Sequence, residues 1–144
     1  MNLVYSMLLI FGTTAIHALC TVGLLRWSKS FSPGYWGMRT LVGRASALSM
    51  LVFLMTLIGY FEAALWAVFY VWVDALPTLR EALYFSMVTF TTLGYGDITL
   101  NDRWRILASV EAANGLILFG WTTAIIIAFV QRVFSIDTPV DDGS

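Results

Sequence analysis

The sequence predicts an all-α membrane protein, built from three transmembrane helices with a re-entrant helix and loop between the second and the third. The first reason is composition, because 59% of the residues are apolar, only 12% are charged and the mean hydropathy is +0.80. Soluble domains average about half apolar and about a quarter charged residues. The second reason is three long apolar windows, and the third is a half-length helical segment followed by a glycine-punctuated string.

The apolar windows cover residues 3–25, 46–73 and 104–131. Each is long enough to cross a bilayer, which takes about 20 mostly apolar residues. The first window is not preceded by Lys or Arg, so we expect a retained helix rather than a signal peptide. The chain then divides into an N-terminal helix with its cytoplasmic loop, a central unit, and a short acidic tail. The predicted boundaries of these three parts are 1–45, 46–134 and 135–144.

The basic residues predict the orientation of the helices. Four of the 8 Lys and Arg residues fall between the first and second windows, namely Arg26, Lys29, Arg39 and Arg44. Because loops rich in Lys and Arg stay in the cytoplasm, this connection is predicted to be cytoplasmic. The N-terminus and the segment 74–103 would then lie outside, and the C-terminus would be cytoplasmic. We expect a multi-pass protein of the cell (inner) membrane.

The segment between the second and third windows predicts a re-entrant structure. Pro77 precedes a capping box that runs from Thr78 to Glu81, which indicates the start of a helix. We predict that this helix covers 78–91, about half the length of a span. The string 92–97 then interrupts the helix, and such backbone is tolerated at membrane depth only when protein buries it or when it lines a watery path.

That string resembles the signature of the pore-loop potassium channels, which is Thr-x-Gly-Tyr-Gly-Asp after a pore helix. In this chain it reads Thr92, Leu93, Gly94, Tyr95, Gly96 and Asp97. The surroundings are similar to small bacterial channels with a two-transmembrane pore, to which this chain adds an N-terminal helix. The resemblance implies an outer helix, a pore helix, a selectivity filter and an inner helix, over 46–73, 78–91, 92–97 and 104–131.

The resemblance further implies a potassium-selective channel, in which backbone carbonyls replace the water shell of the ion. The implied ligands are the carbonyls of Thr92, Leu93, Gly94 and Tyr95, with the Thr92 hydroxyl at the inner end. The resemblance also implies that the Tyr95 ring and Asp97 brace the string from the side away from the ion. One chain cannot surround an ion, so four copies are expected to form a homotetramer. The expected partners are further copies of the chain, membrane lipid and K⁺. We expect no cofactor, and no nucleic acid because the sequence carries no basic face.

The third window carries two glycines that the resemblance places in the inner helix, Gly115 and Gly120. Glycine costs about 1 kcal/mol in a helix interior, so its presence calls for a reason. Two reasons stay open, bending of the helix to open the pore and close packing against a neighbouring helix. A stripe at helical spacing is predicted to line the cavity below the filter, namely Leu116, Phe119, Thr123 and Ile127.

Two carboxylates lie inside predicted spans, where ionisable groups are costly and mark functional hypotheses. Glu111 is predicted to lie behind the filter, hydrogen-bonded to a pore-helix group such as the Tyr84 hydroxyl, either to regulate the filter or as a structural contact. Glu62 has a depth comparable to that of His17 in the first window. A pair between Glu62 and His17 would attach the first helix to the central unit.

Other functions remain as alternatives. A channel of the same fold could be non-selective, or a non-conducting subunit could use the buried carboxylates to sense protons or to bind partners. Potassium transporters that reuse this loop carry four such repeats in a chain, whereas this chain has one. We do not expect an enzyme, because the sequence shows no nucleophile–base pair and contains a single histidine. No window carries spaced arginines, which argues against the usual voltage sensor.

Overall fold

A computed structural model describes residues 2–30 and 40–134 of the chain, and these residues are helical apart from their connections. The elements are α1 (Asn2–Ser30), α2 (Leu41–Trp72), α3 (Leu79–Phe90) and α4 (Arg105–Phe134). The three long helices contain segments apolar enough to cross a membrane, namely Val4–Arg26, Leu41–Trp72 and Arg105–Val133. The all-α membrane fold predicted from the sequence is confirmed. The predicted acidic tail and most of the first connection lie outside the described residues.

Hydroxyl caps explain where two of the helices begin. Thr78 precedes α3, and its Oγ1 accepts a hydrogen bond of 3.2 Å from the backbone N–H of Glu81, so the predicted helix start is confirmed. Thr40 precedes α2, and its Oγ1 accepts a hydrogen bond of 3.1 Å from the N–H of Gly43. Because of this cap, α2 begins five residues before the start predicted from hydropathy.

The short helix α3 packs between α2 and α4, and α1 packs against the other side of the same two helices. The core where α2, α3 and α4 meet consists of large side chains that are nearly inaccessible, including Trp66, Tyr70, Phe85, Phe90, Leu107 and Leu118. Elsewhere the long helices expose apolar side chains, as at Phe11 (75% exposed) and Ile117 (67% exposed). Such a surface suits lipid or contact with further apolar protein.

The chain that leaves α3 is anchored at both ends. At its start it continues directly from the last turn of α3, and at its end Leu100 and Trp104 are both buried in the core. The backbone N–H of Trp104 donates to the carbonyl of Asn101 at 2.9 Å, in the turn that leads into α4. The string 92–97 therefore lies between two fixed points.

Candidate functional site

The backbone of the string 92–97 alternates between two conformations. Thr92, Gly94 and Gly96 have φ values of +60°, +59° and +76°, whereas the residues between them do not have positive φ. Glycine enters this left-handed region without a Cβ penalty. The glycines at 94 and 96 therefore already indicated a left-handed backbone at two of the three positions. For the β-branched Thr92 the conformation is a genuine outlier, and such strain persists only where the surrounding structure enforces it.

Hydrogen bonds from the string to the end of α3 enforce this conformation. The N–H of Thr92 donates to the carbonyl of Thr89 at 2.9 Å. The N–H groups of Leu93 and Gly94 both donate to the carbonyl of Val88, at 3.0 and 3.2 Å. Three successive N–H groups are thus turned towards the helix end, where free carbonyls require partners.

Side chains of the string lie on the surface of the single chain. Leu93 is 55% exposed and Tyr95 is 66% exposed, although both side chains are large and largely apolar. All residues from Thr91 to Asp97 fall in the exposed class. The Tyr95 ring, expected from the resemblance to brace the string, is therefore not packed within its own chain.

Asp97 is hydrogen-bonded to a side chain of α3. The hydroxyl of Tyr84 donates a hydrogen bond of 2.7 Å to Asp97 Oδ2. This bond lowers the pKa of Asp97 below its usual value, because it stabilises the carboxylate, and it raises the pKa of Tyr84 above its usual value. Asp97 therefore braces the end of the string against the helix before it, as the resemblance implied.

The example predicted as a partner of Glu111, the Tyr84 hydroxyl, is wrong, although Ser86 on α3 does interact with Glu111. The Tyr84 hydroxyl contacts Asp97, and Glu111 Oε2 instead accepts a hydrogen bond of 2.7 Å from the hydroxyl of Tyr70 on α2. Glu111 is 0% exposed, and Ser86 on α3, which interacts with it, is buried to the same degree. The spacing of residues predicted how deep Glu111 lies in the membrane. It could not decide whether Tyr70 on α2 or Tyr84 on α3 contacts this side chain.

Gly115 on α4 packs directly against the backbone of α3. A Cβ built on Gly115 would overlap the carbonyl oxygen of Phe90 and would lie 2.9 Å from its carbonyl carbon. Of the two reasons left open for this glycine, the structure supports close packing. Gly120 differs, because a Cβ built there meets no atom within 4 Å in this chain.

The predicted cavity stripe lies on the surface of the single chain. Leu116 is 63% exposed, Phe119 39% and Ile127 52%, and Thr123 is also in the exposed class. Phe119 additionally contacts the ring of Phe90 at the end of α3, with 5.7 Å between ring centroids. The stripe is thus available to face a pore, and its lining of a cavity stays a prediction.

Two polar pairs join α1 to the central unit. His17 Nδ1 lies 3.0 Å from Glu62 Oε1, with both side chains almost fully buried, so the pairing predicted from depth is confirmed. The side-chain amide of Asn114 on α4 donates a hydrogen bond of 2.8 Å to Thr13 Oγ1 on α1. Sequence reasoning missed this second pair, although an asparagine inside an apolar span is itself a signal that a partner is near.

No group of three or more His, Cys, Asp or Glu side chains within residues 2–30 and 40–134 could hold a metal ion. The string 92–97 itself offers backbone carbonyls and the Thr92 hydroxyl as oxygens that could contact an ion. Such neutral oxygens suit a monovalent cation that must bind and leave quickly.

The comparisons with known proteins identify one family. Residues 47–132, more than half of the chain, match a family model whose description is ion channel. The match covers α3, the string 92–97 and most of α2 and α4, and it leaves α1 outside. No curated protein and no solved structure gives a significant match to the chain.

Proposed function

We propose that this chain, which belongs to the ion channel family, is one of four identical subunits around a potassium-selective pore. Family membership and the three apolar helices make it a multi-pass membrane protein of an ion-conducting class. The selectivity, the four-fold assembly and the ion are our proposal, and the string 92–97 is its selectivity filter.

One observation carries the proposal, the alternating backbone of the filter. Backbone that alternates between right- and left-handed conformations turns its N–H groups to one side and its carbonyls to the other. Here the N–H groups of Thr92, Leu93 and Gly94 bond to the end of α3. The carbonyls are therefore expected to face away from α3, towards the axis where an ion would pass.

The exposure of the filter supports assembly. A single row of carbonyls contacts an ion from one side, whereas K⁺ gives up its water shell only for a complete set of oxygens. Four rows around an axis provide that set, and closed rotational symmetry is the usual form of homo-oligomers. The exposed Leu93 and Tyr95 side chains would then pack against neighbouring subunits.

The orientation is also part of the proposal. The basic residues Arg26 and Arg44 flank the connection between α1 and α2, which we assign to the cytoplasmic side of the inner membrane. The N-terminus and the outer end of the filter at Asp97 then face outward. The C-terminal end of α4 faces the cytoplasm.

Potassium flux through the purified protein in liposomes tests the proposal, with Na⁺ as the comparison ion and Ba²⁺ as the blocker. We expect flux that Ba²⁺ blocks and that strongly favours K⁺ over Na⁺. In a variant with Gly94→Ala this selectivity should be lost, because a Cβ strains a backbone with φ of +59° although it meets no atom within 4 Å. Gly23→Ala on α1, where a Cβ also meets no atom within 4 Å, is the matched control.

Two outcomes would contradict the proposal. Flux that is equally fast for Na⁺ and K⁺ would indicate a non-selective channel of the same fold. Absence of flux, together with equal thermal stability of the protein in K⁺ and in Na⁺, would indicate a non-conducting subunit. A closed channel with an intact filter would instead be more stable in K⁺, because an ion that binds the native state stabilises it.

A further inference from the structure

The buried face of α1 is polar. Within residues 4–26, the buried side chains of this helix are Ser6, Thr13, His17 and Thr21, and no apolar side chain among them is buried. Their spacing places them on one side of the helix, towards α2 and α4. Between membrane helices, polar contacts fix a neighbour where apolar faces give little preference. α1 is therefore held at a defined position on the central unit.

One of these contacts reaches α4 next to its closest approach to α3. The Thr13 hydroxyl donates to the carbonyl of Leu9 at 2.9 Å, within α1, and its oxygen accepts a hydrogen bond of 2.8 Å from the side-chain amide of Asn114. Thr13 is 1% exposed and Asn114 is 4% exposed. A buried donor that loses its acceptor is costly, so the Thr13 oxygen holds Asn114 in place.

The residue after Asn114 is Gly115, whose contact with α3 leaves no space. A Cβ on Gly115 would overlap the carbonyl oxygen of Phe90, the last residue of α3. A densely packed contact of this kind transmits small shifts rather than absorbing them. The last turn of α3 continues into the filter, because the N–H of Thr92 donates to the carbonyl of Thr89 at 2.9 Å. A shift of α4 at Asn114 is therefore passed to the inner end of the filter.

We propose that Thr13 and Asn114 are positioning residues of the filter. Their hydrogen bond fixes the turn of α4 that supports the end of α3, and thereby the spacing of the carbonyls that would select K⁺. Neither side chain contacts the ion. The inference rests on the proposed potassium function. Because α1 lies outside the family match, it would add a determinant of ion preference to the matched unit 47–132.

Thermal unfolding of the full-length protein in nanodiscs tests the inference, with K⁺ replacing Na⁺ at constant ionic strength. An ion that binds the folded protein raises its stability, so the K⁺ concentration that gives half of the stabilisation reports on the filter. Thr13→Val keeps the shape of the side chain and removes the hydroxyl. We expect it to raise this concentration about threefold, the effect of losing a hydrogen bond of typical strength between membrane helices.

Three further variants separate positioning from general stability. Thr13→Ser keeps the hydroxyl and should behave as the parent does. Asn114→Leu removes the donor of the same hydrogen bond and should raise the K⁺ concentration in the same direction. Thr21→Val is the matched control, because it makes the same change on the same face about 12 Å further along α1. Thr21 Oγ1 has no hydrogen-bond partner among the described residues, so the K⁺ concentration should stay that of the parent.

A merely structural role gives a different result. If Thr13→Val lowers the unfolding temperature equally at every K⁺ concentration, Thr13 only attaches α1 and the inference is overturned. A rise as large in Thr21→Val, or no rise in Asn114→Leu, would overturn it as well. If the parent protein itself is equally stable in K⁺ and in Na⁺, the proposed potassium function fails, and the inference fails with it.

Discussion

α3 and α1 are attached to the same two helices, α2 and α4, by different kinds of contact. α3 is fitted by shape, with its Phe90 backbone against Gly115 and the Phe85 ring 5.3 Å from that of Tyr70. α1 is attached in its middle by polar pairs, His17 with Glu62 and Thr13 with Asn114. In lipid, apolar contact alone gives little driving force between helices, so close packing and buried hydrogen bonds remain the two ways to fix a neighbour.

The comparison indicates different tolerances to substitution. At Gly115 the contact with α3 leaves no space for a Cβ, so even one methyl group added there should disturb the string 92–97. The attachment of α1 rests on directed groups, so removal of one partner should weaken it without disturbing the core. Four predictions test this difference, in order of decreasing expected effect.

Gly115→Ala should have the largest effect. The added Cβ would overlap backbone atoms of Phe90, which cannot move aside as a flexible side chain would. We expect a loss of about 3 kcal/mol or more in the free energy of unfolding, the upper end for overpacked cores. Gly120→Ala is the control, because its Cβ meets nothing within 4 Å. Equal stability of the two variants in a denaturant titration would contradict the packing argument.

Tyr70→Phe should come next. It removes the hydroxyl that donates to Glu111 Oε2, so this oxygen of a side chain with 0% exposure loses its hydrogen bond. The expected loss is about 2 kcal/mol in the free energy of unfolding, because a buried polar group that loses its partner costs about 1–3 kcal/mol. Tyr60→Phe is the control, since Tyr60 is 54% exposed. A loss no greater than the control would show that the Tyr70 hydroxyl is unimportant to stability.

The His17–Glu62 pair should contribute less. We expect a coupling energy of about 1 kcal/mol in a double-mutant cycle of His17→Leu and Glu62→Gln, because polar pairs between membrane helices are typically worth that or less. The measurement is the free energy of unfolding of the two single variants and the double variant. Additive effects would mean that the two side chains are neighbours without a stabilising interaction.

Tyr84→Phe should have the smallest effect, which should be present at neutral pH and should vanish in acid. The Tyr84 hydroxyl lowers the pKa of Asp97, so its stabilisation is present above the usual pKa of an aspartate and is lost as pH falls through the lowered value. Without the hydroxyl, the pKa of Asp97 should return towards its usual value. The thermal stability of the variant should therefore lie slightly below that of the parent at neutral pH, and the two should converge as pH falls through the lowered pKa of Asp97. A stability difference that does not change with pH would contradict this prediction.

Much of the fold could be predicted from the sequence, because spans and caps depend on local properties. Hydropathy located three long helices, and the Thr78–Glu81 spacing located the start of α3. The start of α2 was missed, because Thr40 caps it from within a polar connection that hydropathy does not resolve. The position of the ion-channel signature was also readable, since its glycines serve a backbone requirement.

The contacts that support the candidate site were less predictable. Depth in the membrane paired His17 with Glu62 correctly, but it assigned Glu111 to Tyr84 rather than Tyr70. Two tyrosines on neighbouring helices lie within plausible reach of one carboxylate, and only the packing of α3 decides between them. The left-handed Thr92 was not expected either, since propensity alone would place only glycine there.

The hydrogen bonds of the proposed filter have a consequence for the order of events in the proposed assembly. The three bonds that shape it join residues only three to six positions apart in one chain. Short loops close with little loss of entropy, so the filter can take its shape while the subunit is still alone in the membrane. Each subunit would then enter the proposed assembly with its backbone already ordered. Association would therefore lose little further backbone entropy.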